Sequence, residues 1–325
     1  MSDRIRWGIL STGAIAATFA GDLRLLPDAE LAAVGSRSTE AAERFAAEHG
    51  AARAHGSWQA LVEDPDVDAI YIATPHSAHY EAAMLALRAG KATLCEKPFT
   101  LAVSEAEEMA ETARAGGVFL MEAMWMRCIP AIRRMVELVR DGAIGEPVSV
   151  HADFGIQGPF PETSRLRDRR LGGGALYDVG IYPVTFAHLF LGVPSTVQAW
   201  ARMSAGGVDE NTGMLFGYDG GAVAALTCSL LGDSARRGTI TGTLGRIEVR
   251  RDFFHPHGFT LWRGEEAEEF DLAYEGRGYQ FEAEEVHRCL REGLIESQLV
   301  PLSETIDILR LLNDISGIIG LDYSS

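Results

Sequence analysis

The first third of the chain alternates short apolar runs with longer segments whose apolar residues recur at helical spacing. The apolar runs predict strands at Ile5–Leu10, Leu31–Gly35, Ala69–Ala73, Ala92–Cys95 and Val118–Met121. The segments between them predict helices at Ala14–Leu26, Thr39–His49, Ser57–Glu63 and His79–Ala89, and a further helix that Ser104 and Glu107 begin as a capping box. Strands that alternate with helices indicate an α/β fold built on a doubly wound parallel sheet.

The pattern changes after this region, where strand signals dominate. We predict strands at Val148–Phe154, Ser195–Met203, Gly213–Tyr218, Ala222–Leu230, Gly238–Thr243, Arg246–Arg250 and Phe259–Trp262. Helical patterns lie at Ala175–Phe190, Tyr279–Arg291 and Ser303–Ile315, and one more helix ends at Gly142. The chain is therefore predicted to form two domains. The first covers residues 1–122, and the second, an α+β domain with a large, mostly antiparallel sheet, covers 123–325.

Composition and charge exclude several classes of partner. The chain has 325 residues and a net charge of -17, so nucleic acid and anionic membranes would repel it. Its start carries no secretory signal, and no segment reaches the roughly 18 uninterrupted apolar residues of a membrane helix. The four cysteines form no CxxC pair, which is typical of reduced thiols. We expect a soluble, cytoplasmic protein with neither a nucleic-acid nor a membrane partner.

A glycine-containing turn follows the first predicted strand and begins the first predicted helix. A dinucleotide-binding (Rossmann) domain needs G-x-G-x-x-G/A here, because the backbone must approach a pyrophosphate at a helix N-terminus. Gly13 and Ala16 fit this motif, whereas Ser11 takes the first glycine position. The alternative is an ordinary strand–helix turn. On the first interpretation, the cofactor contacts are Ser11, Thr12, Gly13, Ala14 and Ile15.

The end of the second strand bears on the choice between NAD and NADP. NAD sites usually place an acidic residue here to bind the ribose hydroxyls, and such a residue would repel a 2′-phosphate. This chain has Ser36, Arg37 and Ser38 instead. A guanidinium and two hydroxyls suit the phosphate of NADP, which we therefore favour over NAD. The alternative is that Arg37 is a solvated charge and Ser38 a helix cap.

Two further segments follow strands at the edge where open α/β sheets bind ligands. Glu96, Lys97 and Pro98 follow the strand Ala92–Cys95, so Lys97 is predicted to lie where a nicotinamide and its substrate would meet. Thr74, Pro75, His76 and His79 follow the strand Ala69–Ala73 and are predicted to border the cofactor, unless His79 only begins a helix.

A glycine triplet, Gly172 to Gly174, precedes a second candidate site on the helix Ala175–Phe190. The triplet predicts a mobile and sterically open start to the helix. Asp178 and Tyr182 are four residues apart on one helical face among apolar neighbours, which indicates that both are buried. Pro183 is expected to bend the helix just beyond Tyr182. The alternative is a hydrogen-bonded Asp–Tyr pair with a structural role.

An arginine cluster and a pair of histidines could form further binding sites. Four arginines, Arg165, Arg167, Arg169 and Arg170, precede the glycine triplet. They could attract an acidic sugar or the cofactor phosphates, but a solvated loop paired with Asp168 and Glu162 is favoured. The segment His255-Pro256-His257 lacks a third ligand, so no metal site is predicted.

Taken in order, Ser11–Ala16, Glu96-Lys97-Pro98 and the stretch GGGALYDVGIYP resemble the Gfo/Idh/MocA oxidoreductases. The run FLMEAMWMRCIP at Phe119–Pro130 resembles the subgroup of dimeric dihydrodiol dehydrogenases and NADP-dependent D-xylose dehydrogenases. Many family members carry histidine where this chain has Tyr182, and tyrosine there is similar to that subgroup. It argues against carrying over substrates from the inositol dehydrogenases.

The resemblance implies a Rossmann domain joined to an open-faced sheet domain, with the active site between them. It also implies that Lys97 and Asp178 belong to the site, that Pro98 follows a cis peptide, and that Trp125 and Phe154 line the substrate pocket or else pack in the core. A homodimer or higher homo-oligomer formed through the C-terminal sheet is implied by the same resemblance.

We thus expect an NADP-dependent oxidoreductase that transfers a hydride between the nicotinamide and a hydroxyl or carbonyl carbon of a sugar, polyol or dihydrodiol. Tyr182 would be the general base, Lys97 the cation that stabilises its phenolate, and Asp178 the group that orients the substrate hydroxyl or holds Lys97. Lys97 as the proton carrier is the close rival. Two other functions stay open: an NAD-dependent glycosidase that uses transient oxidation, and a non-catalytic NADP-sensing regulator.

Overall fold

The computed structural model describes residues 4–161 and 163–323. Its N-terminal part alternates strands and helices, as the hydrophobic pattern predicts. The strands are β1 (Ile5–Leu10), β2 (Ala29–Gly35), β3 (Arg53–His55), β4 (Ala69–Ile72), β5 (Ala92–Glu96) and β6 (Leu120–Ala123). The helices are α1 (Ala14–Leu23), α2 (Thr39–His49), α3 (Trp58–Val62), α4 (His79–Arg88) and α5 (Val103–Gly116).

These strands form one sheet in the order β3-β2-β1-β4-β5-β6, and every neighbouring pair is parallel. Strands β4 and β5 are buried along their whole length, because helices cover both faces of a parallel sheet. The strand order reverses between β1 and β4. Such a switch point is where doubly wound sheets bind ligands, at the carboxyl ends of the strands. The predicted Rossmann fold is confirmed.

The following part is built on a second sheet. Its elements are α6 (Pro130–Arg140), β7 (Pro147–Gly155), α7 (Ile181–Leu191), β8 (Thr196–Met203), β9 (Asp209–Gly217), β10 (Val223–Ser229), β11 (Gly238–Gly242), β12 (Arg246–Val249), β13 (Gly258–Arg263) and β14 (Glu266–Asp271). The eight strands have the order β14-β13-β12-β11-β7-β10-β9-β8. All neighbours are antiparallel except β7 and β10. The predicted large, mostly antiparallel sheet is confirmed.

The chain divides into two compact units, and the first of them is discontinuous. Residues Met1–Cys128 join Glu275–Ile306, which include α8 (Gln280–Arg291) and the start of α9 (Leu302–Ile319). Residues Ile129–Tyr274 and Asp307–Ser325 form the second unit. This division differs from the predicted domains 1–122 and 123–325, because α8 packs on the first sheet. Trp7 Nε1 of β1 donates a hydrogen bond to His287 Nε2 of α8 at 2.9 Å.

Several predicted element boundaries need correction. The capping box at Ser104 is wrong: α5 begins at Val103 after Ala102, so Ser104 already lies in the first turn. Helix α1 ends at Leu23 rather than Leu26, and the residues up to Leu26 form turns. Ser57 does cap α3, since its hydroxyl accepts a hydrogen bond from the amide of Ala60. Among residues 4–161 and 163–323, no helix is both long and apolar enough to cross a bilayer.

Candidate functional site

In the first unit, three neighbouring strands end at one edge of the parallel sheet and present candidate residues there. Ser11 follows β1, Thr74 lies just after β4, and Lys97 follows β5. Because β1, β4 and β5 are adjacent and parallel, these positions share the carboxyl edge of the sheet. The hydroxyl of Thr74 is buried and has no hydrogen-bond partner among the described residues. An orphaned buried hydroxyl at this edge suits a polar ligand.

The turn between β1 and α1 has the geometry that a phosphate needs. Ser11 has φ 99°, a conformation that glycine adopts easily and serine rarely, so it reproduces the backbone of the glycine it replaces. Gly13 precedes α1, and a Cβ added there would meet no protein atom within 4 Å. Within the described chain, no side chain caps the N-terminus of α1. Its amide groups are therefore available to an anion.

The residues after β2 divide into two roles. The hydroxyl of Ser38 accepts a hydrogen bond from the amide of Ala41 at 3.2 Å, so Ser38 is the N-cap of α2. Ser36 accepts one from the Ser38 amide at 3.3 Å. Arg37 is exposed, and its guanidinium carbon lies 5.8 Å from the centre of the Trp58 ring. Of the three residues, Arg37 thus provides the cation that a 2′-phosphate could bind.

His79 connects the loops that follow β4 and β5. Its ring is fully buried, with Nδ1 2.8 Å from the Pro98 carbonyl and Nε2 3.0 Å from the Thr74 carbonyl. Burial lowers the pKa of His79 to about 4, so at neutral pH the ring carries one proton and donates to one of these two carbonyls. His76 is buried beside it, with ring centres 5.6 Å apart. Pro75 begins the turn that carries both.

Glu96 supports Lys97 from inside the sheet. Its carboxylate is buried, accepts a hydrogen bond from the Tyr71 hydroxyl, and accepts another from the Lys97 amide at 3.0 Å. Lys97 itself is half-buried. The cis peptide expected before Pro98 is present.

Two buried acids near this strand were not found by sequence reasoning. Glu122 of β6 accepts hydrogen bonds from the amide of Phe99 at 3.1 Å and the hydroxyl of Thr305 at 3.1 Å, and burial raises its pKa to about 7. Glu282 of α8 is fully buried, and neither of its oxygens has a partner in the described chain. Burial, reinforced by Glu96, raises the pKa of Glu282 well above its ordinary value. Both lie in segments whose pattern predicts only core packing.

Trp125, a predicted substrate contact, is buried in the first unit. Its ring stacks on Tyr279 at 4.3 Å, just before α8. Its place in the substrate pocket stays a prediction.

In the second unit, Asp178 and Tyr182 lie on either side of a change in helix type. Leu176–Gly180 form a π-helical turn that contains Asp178, and α7 begins at Ile181, so Tyr182 lies in its first turn. Both residues are buried, as predicted, with 7% and 5% of their surface exposed. Pro183 lies three residues after the π-helical turn, in the first turn of α7. The bend expected beyond Tyr182 stays a prediction.

The glycine triplet is closely packed rather than open. A side chain on Gly173 would overlap the carbonyl of Arg165, and one on Gly174 would overlap the Asp209 carboxylate. Gly174 also has φ 124°, a conformation that other residues rarely adopt. Asp209 Oδ2 accepts a hydrogen bond from the Leu176 amide at 2.9 Å. Both glycines are therefore needed to seat the π-helical turn, and the predicted open start to the helix is wrong.

Aromatic side chains surround Tyr182. Phe154, predicted from the resemblance, has its ring centre 5.4 Å from that of Tyr182. Phe254, which the sequence reasoning missed, lies 5.1 Å from Tyr182 and stacks on Phe154 at 4.3 Å. The guanidinium of Arg236 lies 5.7 Å from the Phe154 ring centre. The two adjacent phenylalanines before His255 were the signal that could have drawn attention to Phe254.

The four arginines before the glycine triplet have different partners. Arg170 pairs with Asp168 at 2.9 Å, as predicted, and Arg167 lies 3.9 Å from Glu210. Arg169 donates to the carbonyl of Asp322 at 3.2 Å. Arg165 pairs with Asp178 at 2.7 Å, which differs from the predicted solvated loop. Glu162, the other predicted partner, lies outside the described residues. Across the described ranges, no group of three or more His, Cys, Asp or Glu side chains could hold a metal ion.

Comparison with known proteins gives consistent similarities. Residues 5–124 match the GFO_IDH_MocA oxidoreductase family with its NAD-binding Rossmann fold, and residues 132–248 match the GFO/IDH/MocA C-terminal domain. The trans-1,2-dihydrobenzene-1,2-diol dehydrogenase of Oryctolagus cuniculus is 36% identical over 328 residues, covering 97% of this chain and 98% of the relative. That of Mus musculus is 36% identical over 331 residues, covering 98% of each.

Among solved structures, a 3-ketoreductase from Actinomadura kijaniata in complex with NADP and TDP-benzene has a TM-score of 0.86 and 29% identity, covering 97% of this chain and 98% of its own. The same 3-ketoreductase has also been solved as a tyrosine-to-phenylalanine variant and as a lysine-to-alanine variant, both with TDP-benzene and NADP.

Proposed function

Because the chain belongs to the Gfo/Idh/MocA family of oxidoreductases, we propose that it transfers a hydride between NADP and the hydroxyl-bearing carbon of a sugar, polyol or dihydrodiol. That it is an NAD(P)-dependent dehydrogenase acting on CH–OH groups follows from the family and from the similar dehydrogenases. The observation that carries the proposal is the carboxyl edge of the parallel sheet, where the uncapped α1, the orphaned Thr74 hydroxyl and Lys97 follow three adjacent strands.

NADP is preferred over NAD because Arg37 follows the end of β2, where NAD sites carry an acid. The pyrophosphate would take the amides of Gly13, Ala14 and Ile15 at the start of α1, and Arg37 would take the 2′-phosphate. When bound, NADP would supply the nicotinamide ring that takes up the hydride. The NADP held by the similar 3-ketoreductase supports this preference.

Tyr182 is the general base for the proton of the substrate hydroxyl. As a phenolate, Tyr182 accepts the proton at Oη, and Asp178 orients the substrate hydroxyl by accepting a hydrogen bond from it. Lys97 is the proposed cation of the reaction. The aromatic rings of Phe154 and Phe254 keep water away from Tyr182 on one side and offer a flat surface to the carbon ring of a substrate.

A panel of pentoses, hexoses, polyols and trans-dihydrodiols, assayed with NADP and with NAD, tests this function. We expect net cofactor reduction with at least one ring-bearing substrate. A glycosidase would release product without net reduction, and a sensor would bind NADP without turnover. Either outcome would refute the dehydrogenase proposal.

Substitution of Tyr182 tests the proton transfer. Tyr182→Phe is expected to lower kcat by more than about 100-fold while NADP affinity stays within about threefold. Tyr177→Phe is the matched control. Its hydroxyl is also buried but bonds to Asn313 at 2.6 Å, so this variant should keep activity. If Tyr182→Phe stays active and Lys97→Met does not, Lys97 carries the proton.

We also propose that a second copy of the chain covers the exposed face of β8, β9 and β10. Trp200, Leu215 and Val223 are 71%, 48% and 42% exposed there, which is unusual for large apolar side chains on one sheet face. We further propose that the reaction takes place in the cytoplasm. The four buried free thiols support this, because they suit a reducing compartment.

A further inference from the structure

The segment from Arg165 to Gly174 folds back on itself in the second unit. The amide of Gly174 donates to the carbonyl of Leu166 at 2.9 Å, and the amide of Gly173 donates to the carbonyl of Asp168 at 3.0 Å. Since a side chain on Gly173 would overlap the Arg165 carbonyl, the two ends of the segment are in direct contact. The position of Arg165 is therefore tied to the turn that carries Asp178.

The same segment is anchored from the C-terminal end of the chain. The hydroxyl of Tyr323 donates to the Gly173 carbonyl at 2.6 Å, and the Arg169 guanidinium donates to the Asp322 carbonyl at 3.2 Å. Just beyond the segment, the Leu176 amide donates a hydrogen bond to the Asp209 carboxylate. A backbone held at this many points allows a side-chain contact to be set accurately.

That contact is the ion pair between Arg165 and Asp178. One Nη of Arg165 lies 2.7 Å from Asp178 Oδ1, which is the length of a charge-assisted hydrogen bond. The Asp178 side chain is 9% exposed and the Arg165 side chain 46% exposed. The acid is thus enclosed while its cation remains open to solvent. A second arginine–aspartate pair of the segment, Arg170 with Asp168, has a more exposed cation, since the Arg170 side chain is 84% exposed.

We propose that Arg165 is a positioning residue for the hydride-transfer reaction: it holds the Asp178 carboxylate in the orientation that accepts the substrate hydroxyl. This role rests on the proposed function of Asp178. Without Arg165, the carboxylate loses the charge-assisted hydrogen bond that fixes the position of Oδ1. Turnover falls through misplacement of the hydroxyl, and binding of NADP is untouched.

Chemical rescue tests this role. Arg165→Ala is expected to lower kcat/KM for the sugar or polyol by about 10- to 100-fold, with the KM for NADP unchanged. Because Arg165 is half-exposed, added guanidinium at a non-denaturing concentration should restore part of this loss, whereas sodium chloride at equal ionic strength should not. Arg165→Lys should keep a partial activity, since it restores a charge without the planar fork.

Arg170→Ala is the matched control, because it removes an arginine from the same segment and the same type of ion pair. It should keep wild-type kinetics and show no response to guanidinium. An Arg165→Ala enzyme with unchanged kcat/KM, or one whose loss neither guanidinium nor Arg165→Lys reduces, overturns the positioning role.

A crystal structure of Arg165→Ala separates this role from the proposed function. An Asp178 carboxylate that keeps its place and order in the variant overturns the positioning role, whatever the activity. A wild-type enzyme that reduces neither cofactor with any substrate overturns the proposed function. Even then, an Asp178 carboxylate displaced in the Arg165→Ala structure would show that Arg165 positions it.

Discussion

Ser11 shows how one residue can keep the backbone of a motif while changing its sequence. Its φ of 99° lies where a side chain is strained, at a cost of about 1 kcal/mol or more. Gly13, two residues later, needs no positive φ and meets no protein atom where its Cβ would be. Its lack of a side chain is explained by the close approach of a ligand to the turn.

Arg37 is expected to determine cofactor choice. Arg37→Ala should weaken NADP binding by about 10- to 100-fold, because a charge-assisted contact to the 2′-phosphate is lost, and should change NAD binding by less than about threefold. Fluorescence titration with both cofactors measures this. Arg44→Ala, which removes an exposed arginine from the neighbouring α2, is the control. Equal losses for both cofactors would mean that Arg37 contacts the part of the dinucleotide they share.

Glu122 is expected to make stability depend on pH. Burial raises its pKa from 4.5 to about 7, so between these values the unfolded chain releases a proton that the folded chain keeps, and stability falls as pH rises. Glu122→Gln removes this step. Its amide can donate to Thr305 while its oxygen accepts from Phe99. Relative to wild type, the free energy of unfolding of the variant should therefore rise as pH increases from 4.5 to 7, by at most about 3 kcal/mol. Above pH 7 the difference should stay constant.

Urea unfolding across this pH range measures the difference. Glu111→Gln, which changes an exposed carboxyl on α5, should follow the wild-type curve. A constant gap between Glu122→Gln and wild type at every pH would mean that Glu122 is ionised throughout.

The residues that sequence reasoning finds and those it misses differ in a physical way. Lys97 and Arg37 follow strands, so their place at the sheet edge depends on local pattern and on strand order alone. The pairing of Arg165 with Asp178, and the approach of Phe254 to Tyr182, depend on tertiary packing. Residue types and spacing carry no record of such contacts, which is why the arginines before the glycines were expected to be solvated.

At the scale of elements, helix α8 is fixed to the first sheet by a histidine in a defined tautomer. The indole of Trp7 can only donate, so His287 Nε2 accepts and Nδ1 carries the proton toward Asp28 Oδ2 at 3.1 Å. Two amides just before α8, those of Arg277 and Tyr279, also donate to Asp22 of α1. These bonds attach α8 to elements more than 250 residues earlier in the chain.

Protonation of His287 should therefore destabilise the first unit. Burial lowers the pKa of His287 below 6.5, so the unfolded chain takes up this proton first as pH falls. The contribution of neutral His287 to the free energy of unfolding is fully present above pH 6.5 and decreases below it. We predict that His287→Gln costs about 1–2 kcal/mol at neutral pH, because hydrogen bonds are lost, and that this deficit shrinks in acid.

Denaturant unfolding at neutral and at mildly acidic pH measures both effects. His151→Gln, a change at an exposed position of β7, should match wild type at each pH. A deficit for His287→Gln that grows on acidification would contradict the assigned tautomer.

The two strands that sequence reasoning misses, β3 and β14, share a polar character. Strand β3 has three residues, and β14 reads EAEEFD, with charges where a buried strand would carry apolar residues. Both are edge strands, and charged or short edges discourage pairing with other chains. Their patterns thus reflect exposure rather than strand formation. The π-helical turn at Leu176–Gly180 was missed because its cause, close packing of Gly173 and Gly174, is tertiary.

For the whole molecule, the exposed face of β8–β10 predicts self-association. Trp200→Glu combined with Leu215→Lys should shift the protein toward a monomer in sedimentation velocity, because charges would be buried at the interface. Leu244→Glu, at another exposed apolar position with 69% exposure, should leave the assembly unchanged. A wild-type protein that is monomeric at all concentrations would contradict the proposal.

The division of the chain was the least predictable property. Helix α8 is amphipathic, and its sequence pattern does not show which of the two sheets its apolar face covers. The first unit therefore takes its last elements from residues that the sequence assigned to the second domain.

The return of the chain to the first unit at α8 has a consequence for biosynthesis. While the ribosome is still translating the middle of the message, Trp7 and Asp22 already exist but His287 and the Arg277 amide do not. The amino-terminal sheet stays incompletely covered until most of the polypeptide has emerged from the ribosome. A premature stop codon between these regions would leave a product whose nucleotide-binding half cannot finish folding, and cellular proteases should remove it rather than let it persist as a working fragment.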